Sequence, residues 1–439
     1  MAAYSTMSVE QLTEIKEQLQ KEYDTFKAQG LKLDMSRGKP GRDQLDLSVG
    51  MMNNLTSDDL VTTASGADTR NYGMLDGIPE AKELFGQLLG VDASQVIIGG
   101  NSSLNMMYDT IARAMQFGIL GSTPWNKLDK VKFLCPVPGY DRHFAICELF
   151  GIEMINIAMD ENGPDMDEVE RLVSSDASVK GIWCVPKYSN PTGITYSDEV
   201  VKRFAALKPA AKDFRIFWDN AYCVHHLGEE QDELLNLYEE AAKNGNENIV
   251  YLFASTSKVT FSGAGVAAMA SSPANFKDIL QKMTIQTIGY DKINQLRHCK
   301  FLKNVEMLQE HMRKHAALIK PKFDAVLDTL SAELDGLGIA SWSHPKGGYF
   351  ISFDTMDGCA ERVGQLCKEA GVVLTPVGAT FPYGQDPNNR NIRIAPTFPP
   401  IGELQQALDL FCICVKIASI EHIIQNSDVI CTIPDQVNA

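Results

Sequence analysis

Lys258 lies in the segment FASTSKVTFSGAG, directly after an apolar run and among small hydroxyl residues. Lysine is seldom set in such surroundings unless it is paired or used covalently. An amine partly stripped of water gives up its proton more readily. It can then condense with an aldehyde, or carry a proton from one carbon to another. Taken alone, a solvent-facing lysine at a helix start explains Lys258 better. The balance changes with FWDNAY at 217–222, where an apolar run ends in Asp219 and Tyr222 follows three residues later. A carboxylate against the nitrogen of a pyridine-type ring keeps that nitrogen protonated and makes the ring an electron sink, and a phenol beside a ring oxygen tunes it. The plainer alternative is an aspartate capping the next helix. The third group is NPTG at 190–193, where Asn190 can donate its amide to a ring oxygen, with Pro191 and Gly193 shaping the turn. By itself NPTG is only a turn.

These groups need a scaffold. Between residues 80 and 275, short β-branched or aromatic runs (131–135, 182–185, 216–218, 249–253 and 266–269) alternate with longer helical patterns. That alternation predicts crossover units and a largely parallel sheet between helices, an α/β fold. Ahead of it, Leu12, Ile15, Leu19, Tyr23 and Phe26 recur at helical spacing from Ser8 to about Gln29, and SVEQ predicts a capping box. RGKPG at 37–41 is a loop. A long helical region is expected from about Phe276 to Thr329. The strand group SWSHPKGGYFISFD, a helix, a strand at 371–375 and a closing helix after Pro400 come next, and they predict a smaller terminal domain. The expected division is residues 1–51 with the small domain, 52–320 as the large domain and 321–439 as the rest of the small one.

NPTG, then DNAY, then STSK, in that order and some 30 to 40 residues apart, resemble the fold-type I, class I/II aminotransferases. RGKP, GGNSSLNMMYD, PGYDRHF and STSKVTFSGAG are most similar to the divergent bacterial aspartate aminotransferases called subgroup Ic, and the resemblance runs over roughly residues 30–400. It implies a pyridoxal 5'-phosphate (PLP) enzyme with a mostly parallel seven-stranded sheet in the large domain and an α+β small domain. It implies Lys258 as the Schiff-base lysine, Asp219 as partner of the ring nitrogen, and Asn190 and Tyr222 as donors to the ring oxygen. Tyr140 resembles the aromatic that stacks on the ring. Ser102 and Ser103, after a glycine pair at a helix start, are expected at the phosphate, as are Ser255 and Ser257. Tyr72 resembles the tyrosine that reaches a neighbouring subunit's phosphate, which implies a homodimer with shared sites. Arg393 in NIRIAPTF resembles the arginine that grips the substrate α-carboxylate in a bidentate pair, and Gly38 the loop glycine that lets backbone approach the substrate. Arg37 and Arg142 are the candidates for a second carboxylate.

One departure stands out. Many relatives carry a phosphate-binding basic residue about eight positions after the lysine, where this chain has Val266. Backbone and hydroxyl donors, or a residue of the Asp291, Lys292, Asn294 segment from either subunit, are the candidate substitutes.

The reaction the resemblance implies is ping-pong transfer of an amino group from L-aspartate to 2-oxoglutarate. The rivals are another reaction on the same fold, such as an aromatic or alanine aminotransferase or a β-lyase, and a non-catalytic regulatory protein that binds PLP. The segment ahead of Arg37 is too short for a winged-helix DNA-binding domain. A net charge of −16 argues against a nucleic-acid surface. The apolar stretch Leu408–Ile420 is interrupted by Asp409 and Lys416 and is too short to span a membrane. The amino terminus shows no export or organelle pattern, so a cytoplasmic location is expected. The ten cysteines are dispersed with no CxxC pair, which favours reduced, mostly buried thiols. HMRKH, with His311 and His315 one turn apart, lacks the acid of a zinc-protease helix and reads as sitting among solvated charges. His225 and His226 follow the DNAY run and read as core or surface residues. No metal is expected.

Overall fold

The structure is a computed structural model that describes residues 3–59 and 61–431, the last four by backbone alone. Two compact units emerge: residues 42–318 with 345–348, and residues 1–41 with 319–344 and 349–439. Residues 42–51, expected with the small domain, cluster with the larger unit. The Gln44 amide lies 3.2 Å from His315 Nδ1, and Ser48 Oγ lies 3.3 Å from His311 Nε2. Residues 345–348 join the same unit through backbone bonds, from Leu227 to the Lys346 carbonyl and from Gly348 to the His225 carbonyl.

The larger unit is built on one sheet. Its strands run in the order Val96–Ile98, Ala267–Ser271, Val250–Ser255, Arg215–Asp219, Val179–Cys184, Lys132–Val137, Glu153–Asp160 and Gly163–Pro164. Neighbours from Val250–Ser255 through Glu153–Asp160 pair in parallel, while Ala267–Ser271 runs antiparallel to both of its neighbours. The sheet thus has the seven strands expected and, beyond them, a two-residue eighth that folds back on Glu153–Asp160. The inner strands are buried at almost every position, as a sheet covered on both faces requires. Successive side chains alternate between faces. Phe133, Trp183, Phe217 and Phe253 form an aromatic cluster. Their neighbours Leu134, Ile182, Ile216, Trp218 and Leu252 belong to the large aliphatic core, with Val201 and Phe204 from the helix Asp198–Ala205.

Chain direction explains where chemistry can gather. From Lys132–Val137 the chain moves outward to Glu153–Asp160, then returns to Val179–Cys184 on the other side. That reversal opens a crevice at the carboxyl ends of the two central strands, the usual ligand position in such sheets.

The helical region expected from Phe276 onward is three helices: Pro273–Gln286, Lys292–Leu302 and Val305–Leu334. Gly289 at φ +143° and the capping Asp291 make the first break. Lys303 at φ +59° makes the second. In the smaller unit, the helix Val9–Ala28 starts at Ser8 with the expected capping box to Gln11. An antiparallel sheet joins Ala340–Trp342, Ile351–Thr355 and Asn391–Ile394. The strand expected at 371–375 is only Val372–Val373, paired with Leu33–Asp34. The chain closes with the helix Ile401–Cys431. Among the described residues, no helix is long and apolar enough to cross a membrane. The described cysteines are free, and all but Cys223 and Cys299 are buried; the Cys431 side chain lies outside the described residues.

Candidate active site

A cavity of about 140 Å³ opens at the carboxyl ends of the central strands. It is lined by Ser102, Ser103, Tyr140, Asn190, Asp219, Tyr222, Ser255, Ser257 and Lys258, together with Leu104, Met107, Val185 and Ala221. Nine residues singled out from sequence therefore meet in one place, delivered by five separate chain segments. Asp219 ends the strand Arg215–Asp219, and Ser255 ends Val250–Ser255. Tyr140 precedes the helix Asp141–Leu149, and Ser102 precedes the helix Ser103–Phe117.

Each segment is fixed locally. In the NPTG turn, Ser189 donates to the Ile194 carbonyl at 2.9 Å and Gly193 to the Ser189 carbonyl at 2.6 Å. Gly193 has φ +74°, and a Cβ there would lie 2.5 Å from Pro345 Cβ, so a side chain is excluded twice over. Asn190 is consequently held buried at the cavity wall. After Ser255 the chain makes one tight turn, with Val259 and Thr260 both donating to the Thr256 carbonyl at 2.9 Å. The buried Thr256 hydroxyl also accepts from the Val266 amide at 2.9 Å. Lys258 is half-buried on this turn, its Nζ 4.9 Å from the centre of the Tyr222 ring.

Asp219 is only 3% exposed. Its Oδ2 lies 3.1 Å from His143 Nε2, whereas Oδ1 has no hydrogen-bond partner. An unsatisfied buried carboxylate oxygen costs on the order of 1–3 kcal/mol, which a ligand N–H at the cavity wall would recover. His143 is also stacked on Trp183 at 4.5 Å and set edge-on to Tyr140 at 4.9 Å, so it ties Tyr140 to the carboxylate. Sequence reasoning missed His143. The signal was present in PGYDRHF, since a residue three positions after Tyr140 shares its side of the helix.

The opposite end suits an anion. Ser102 makes no capping bond of its own, and the first amides of the fifteen-residue helix Ser103–Phe117 begin there. Ser255 Oγ donates to Ser257 Oγ at 3.1 Å, and Ser257 Oγ to the Asn101 carbonyl at 3.2 Å, which draws both hydroxyls to the same loop. An electron-poor ring nitrogen at Asp219, a phosphate at Ser102 and an aldehyde near Lys258 fit this donor set.

Other candidates lie elsewhere. Lys292 is buried but does not line the cavity; its Nζ is near Gly289, which faces the Gly73 and Met74 carbonyls. Val266 is buried in the aliphatic core, which is no place for a cation. Arg142 is exposed and off the cavity, and Tyr72 is 80% exposed. In the smaller unit, Arg393 is 8% exposed, with Nε 3.3 Å from Thr375 Oγ1 and its guanidinium 4.6 Å from the Phe350 ring centre. Gly38 meets the same ring: a Cβ there would come 2.0 Å from Phe350 Cζ. Arg37 is mostly exposed, 3.8 Å from Asp34.

The reading of HMRKH as solvated is overturned. His311 and His315 are buried, and each places Nε2 against the Val259 carbonyl, at 2.8 and 3.0 Å. The solvated charges lie on the rest of that helix turn. Among the described residues, no group of three or more His, Cys, Asp or Glu is placed to hold a metal ion. Burial pushes the His225 imidazole down to about 3, helped by the Lys258 ammonium, and His315 down to about 4, helped by His311.

Comparison with known proteins gives concordant results. The family model described as aspartate amino-transferase matches residues 7–427. A Corynebacterium glutamicum protein named aspartate aminotransferase is 46% identical over 407 residues, covering 92% of this chain and 94% of its own. The crystal structure of an aspartate transaminase from C. glutamicum superposes with TM-score 0.93 at 45% identity, covering 96% of this chain and 99% of its own. The α-aminoadipate aminotransferase of Thermus thermophilus, solved with N-(5'-phosphopyridoxyl)-L-leucine, shares the fold at TM-score 0.73 and 19% identity, over 88% of this chain and 92% of its own.

Proposed function

The chain belongs to the aspartate amino-transferase family and is a PLP-dependent aminotransferase; on that footing we propose that it moves the amino group of L-aspartate to 2-oxoglutarate. The observation that carries the substrate assignment is the near full-length similarity to the C. glutamicum protein named aspartate aminotransferase.

PLP, when bound, supplies an aldehyde that links reversibly to amines and a ring that withdraws electrons from the substrate's α-carbon. Lys258 would hold that aldehyde covalently through its amine. That amine, when free, would be the base that takes up and gives back a substrate proton. Asp219, held by His143 and with its Oδ1 unpaired, would accept from the ring N–H and favour a cationic nitrogen there. Asn190 and Tyr222 would donate to the ring oxygen, and Tyr140 would lie against the ring. Ser102, Ser103, Ser255, Ser257 and the amides at the helix start would hold the phosphate without a neighbouring cation. Arg393 is the proposed anchor for the substrate α-carboxylate, with Gly38 giving backbone access, and Arg37 or Arg142 the proposed partner of the side-chain carboxylate.

A homodimer with shared sites is part of this proposal. Tyr72, 80% exposed and outside the lining of the cavity, is the residue that such a dimer would place against its partner's phosphate. A cytoplasmic location is proposed with it.

The test is direct. Purified protein with PLP and 2-oxoglutarate is given each amino acid in turn, and glutamate is measured. Aspartate giving the highest kcat/KM is the expected result. A preference for alanine or an aromatic amino acid would reassign the substrate while leaving the family intact, and no glutamate from any amino acid would remove the activity.

A further inference from the structure

Four buried histidines from three separate segments converge on the three residues that begin with Lys258. His225 Nε2 lies 3.3 Å from the Lys258 carbonyl. His311 and His315 both reach the Val259 carbonyl, at 2.8 and 3.0 Å. His298 Nε2 lies 2.8 Å from Thr260 Oγ1. All four are at most 7% exposed.

The chemistry of the partners fixes the protons. A carbonyl only accepts, so Nε2 of His225, His311 and His315 carries the hydrogen. His315 Nδ1 then accepts from the Gln44 amide at 3.2 Å. His298 is the opposite tautomer, because its Nδ1 donates to the Asn294 carbonyl at 2.8 Å and its Nε2 accepts from the Thr260 hydroxyl. The two Nε2 atoms are 3.2 Å apart, so both imidazoles crowd onto the one Val259 oxygen. The Val259 side chain is meanwhile packed with Leu308 and Met312 from the same helix as His311 and His315. The imidazoles come in addition to the turn's own bonds, since the Val259 and Thr260 amides already donate to the Thr256 carbonyl.

We propose that His225, His311 and His315, with His298 behind them, are positioning residues that lock the backbone of Lys258–Thr260, so that only the lysine side chain moves as its amine leaves and returns. The inference rests on the assignment of Lys258 as the cofactor lysine. Neutral N–H donors suit the task because they hold the carbonyls without placing a fixed positive charge beside an amine that must lose its proton.

The test compares the full-length double variants His311→Phe with His315→Phe, and His311→Gln with His315→Gln. Phenylalanine keeps the ring and loses the donor, whereas the glutamine amide restores an N–H at a similar reach. Hydrogen exchange of the peptide spanning 256–262 is followed by mass spectrometry with and without PLP, alongside kcat and KM. In the phenylalanine variant, exchange in this peptide should quicken about tenfold, the worth of one hydrogen bond, with the strand Arg215–Asp219 unchanged. Its kcat should fall with KM held, and the glutamine variant should recover both. Unchanged exchange, or acceleration spread equally over the whole chain, would overturn the proposal. Should the phenylalanine variant not fold, Gln44→Leu removes the donor to His315 Nδ1 and leaves both imidazoles in place, and the same local quickening without a global change is expected. Borohydride fixation of PLP in the parent protein separates the two ideas: a label away from Lys258 refutes the assignment, whereas a label on Lys258 with unaltered exchange refutes only the clamp.

Discussion

Acidification from pH 6.5 to 4.5 should destabilise this protein steeply, and the buried imidazoles set the size of the effect. His225 and His315 are held neutral in the fold, with values near 3 and 4, whereas an unfolded histidine takes a proton near 6.5. Below pH 6.5 the unfolded chain therefore binds more protons than the native one, so native stability falls as pH falls and recovers as pH rises. Each such group contributes about 1.4 kcal/mol per pH unit, so the pair costs about 5 kcal/mol over two units. That is comparable with the entire stability of an ordinary domain. The window lies above the range in which Asp68 and Asp176, both pulled down to about 2 by their hydrogen bonds, begin to protonate. Urea unfolding monitored at half-unit steps measures the slope, and His315→Gln should remove close to one proton from it. A flat stability profile between pH 6.5 and 4.5, or a variant with the parent's slope, would refute the reasoning.

Asp219→Asn keeps the shape of the side chain and removes the charge. Breaking a buried charge pair costs about 3–5 kcal/mol, so kcat should drop by ~10² to 10⁴, and a fall of less than threefold would count against the role given to Asp219. Gly38→Ala puts a methyl into the Phe350 ring. Overpacking of this kind costs about 1–3 kcal/mol, visible as a lower melting temperature that Gly38→Ala with Phe350→Leu should restore; an unchanged melt removes the steric argument. Arg37→Ala or Arg142→Ala should raise KM for aspartate and leave alanine unaffected if either binds the second carboxylate, and equal loss for both amino acids would dismiss them.

Much of the cavity was legible because its residues follow apolar strands that are buried on both faces. Asp219 and Lys258 stand out as polar residues after the runs IFW and VYLFA, and such runs survive without any periodic pattern. The strand Glu153–Asp160 was overlooked because it lies near the sheet edge, with three of its eight residues exposed and Asn156 interrupting its apolar run. Val96–Ile98 was too short to register. His143 and the histidines around Lys258 were hidden for a different reason. Their roles depend on packing between segments far apart in sequence, and HMRKH looks like a solvated helix turn until the helix is seen to carry that one face inward.

Lys258 carries the chemistry proposed for this site. Protein incubated with PLP should turn yellow, and borohydride reduction followed by peptide mapping should place the pyridoxyl group on the ε-amine of Lys258 alone, with Lys258→Ala remaining unlabelled. A label on another lysine, or an equally labelled Lys258→Ala protein, would contradict it.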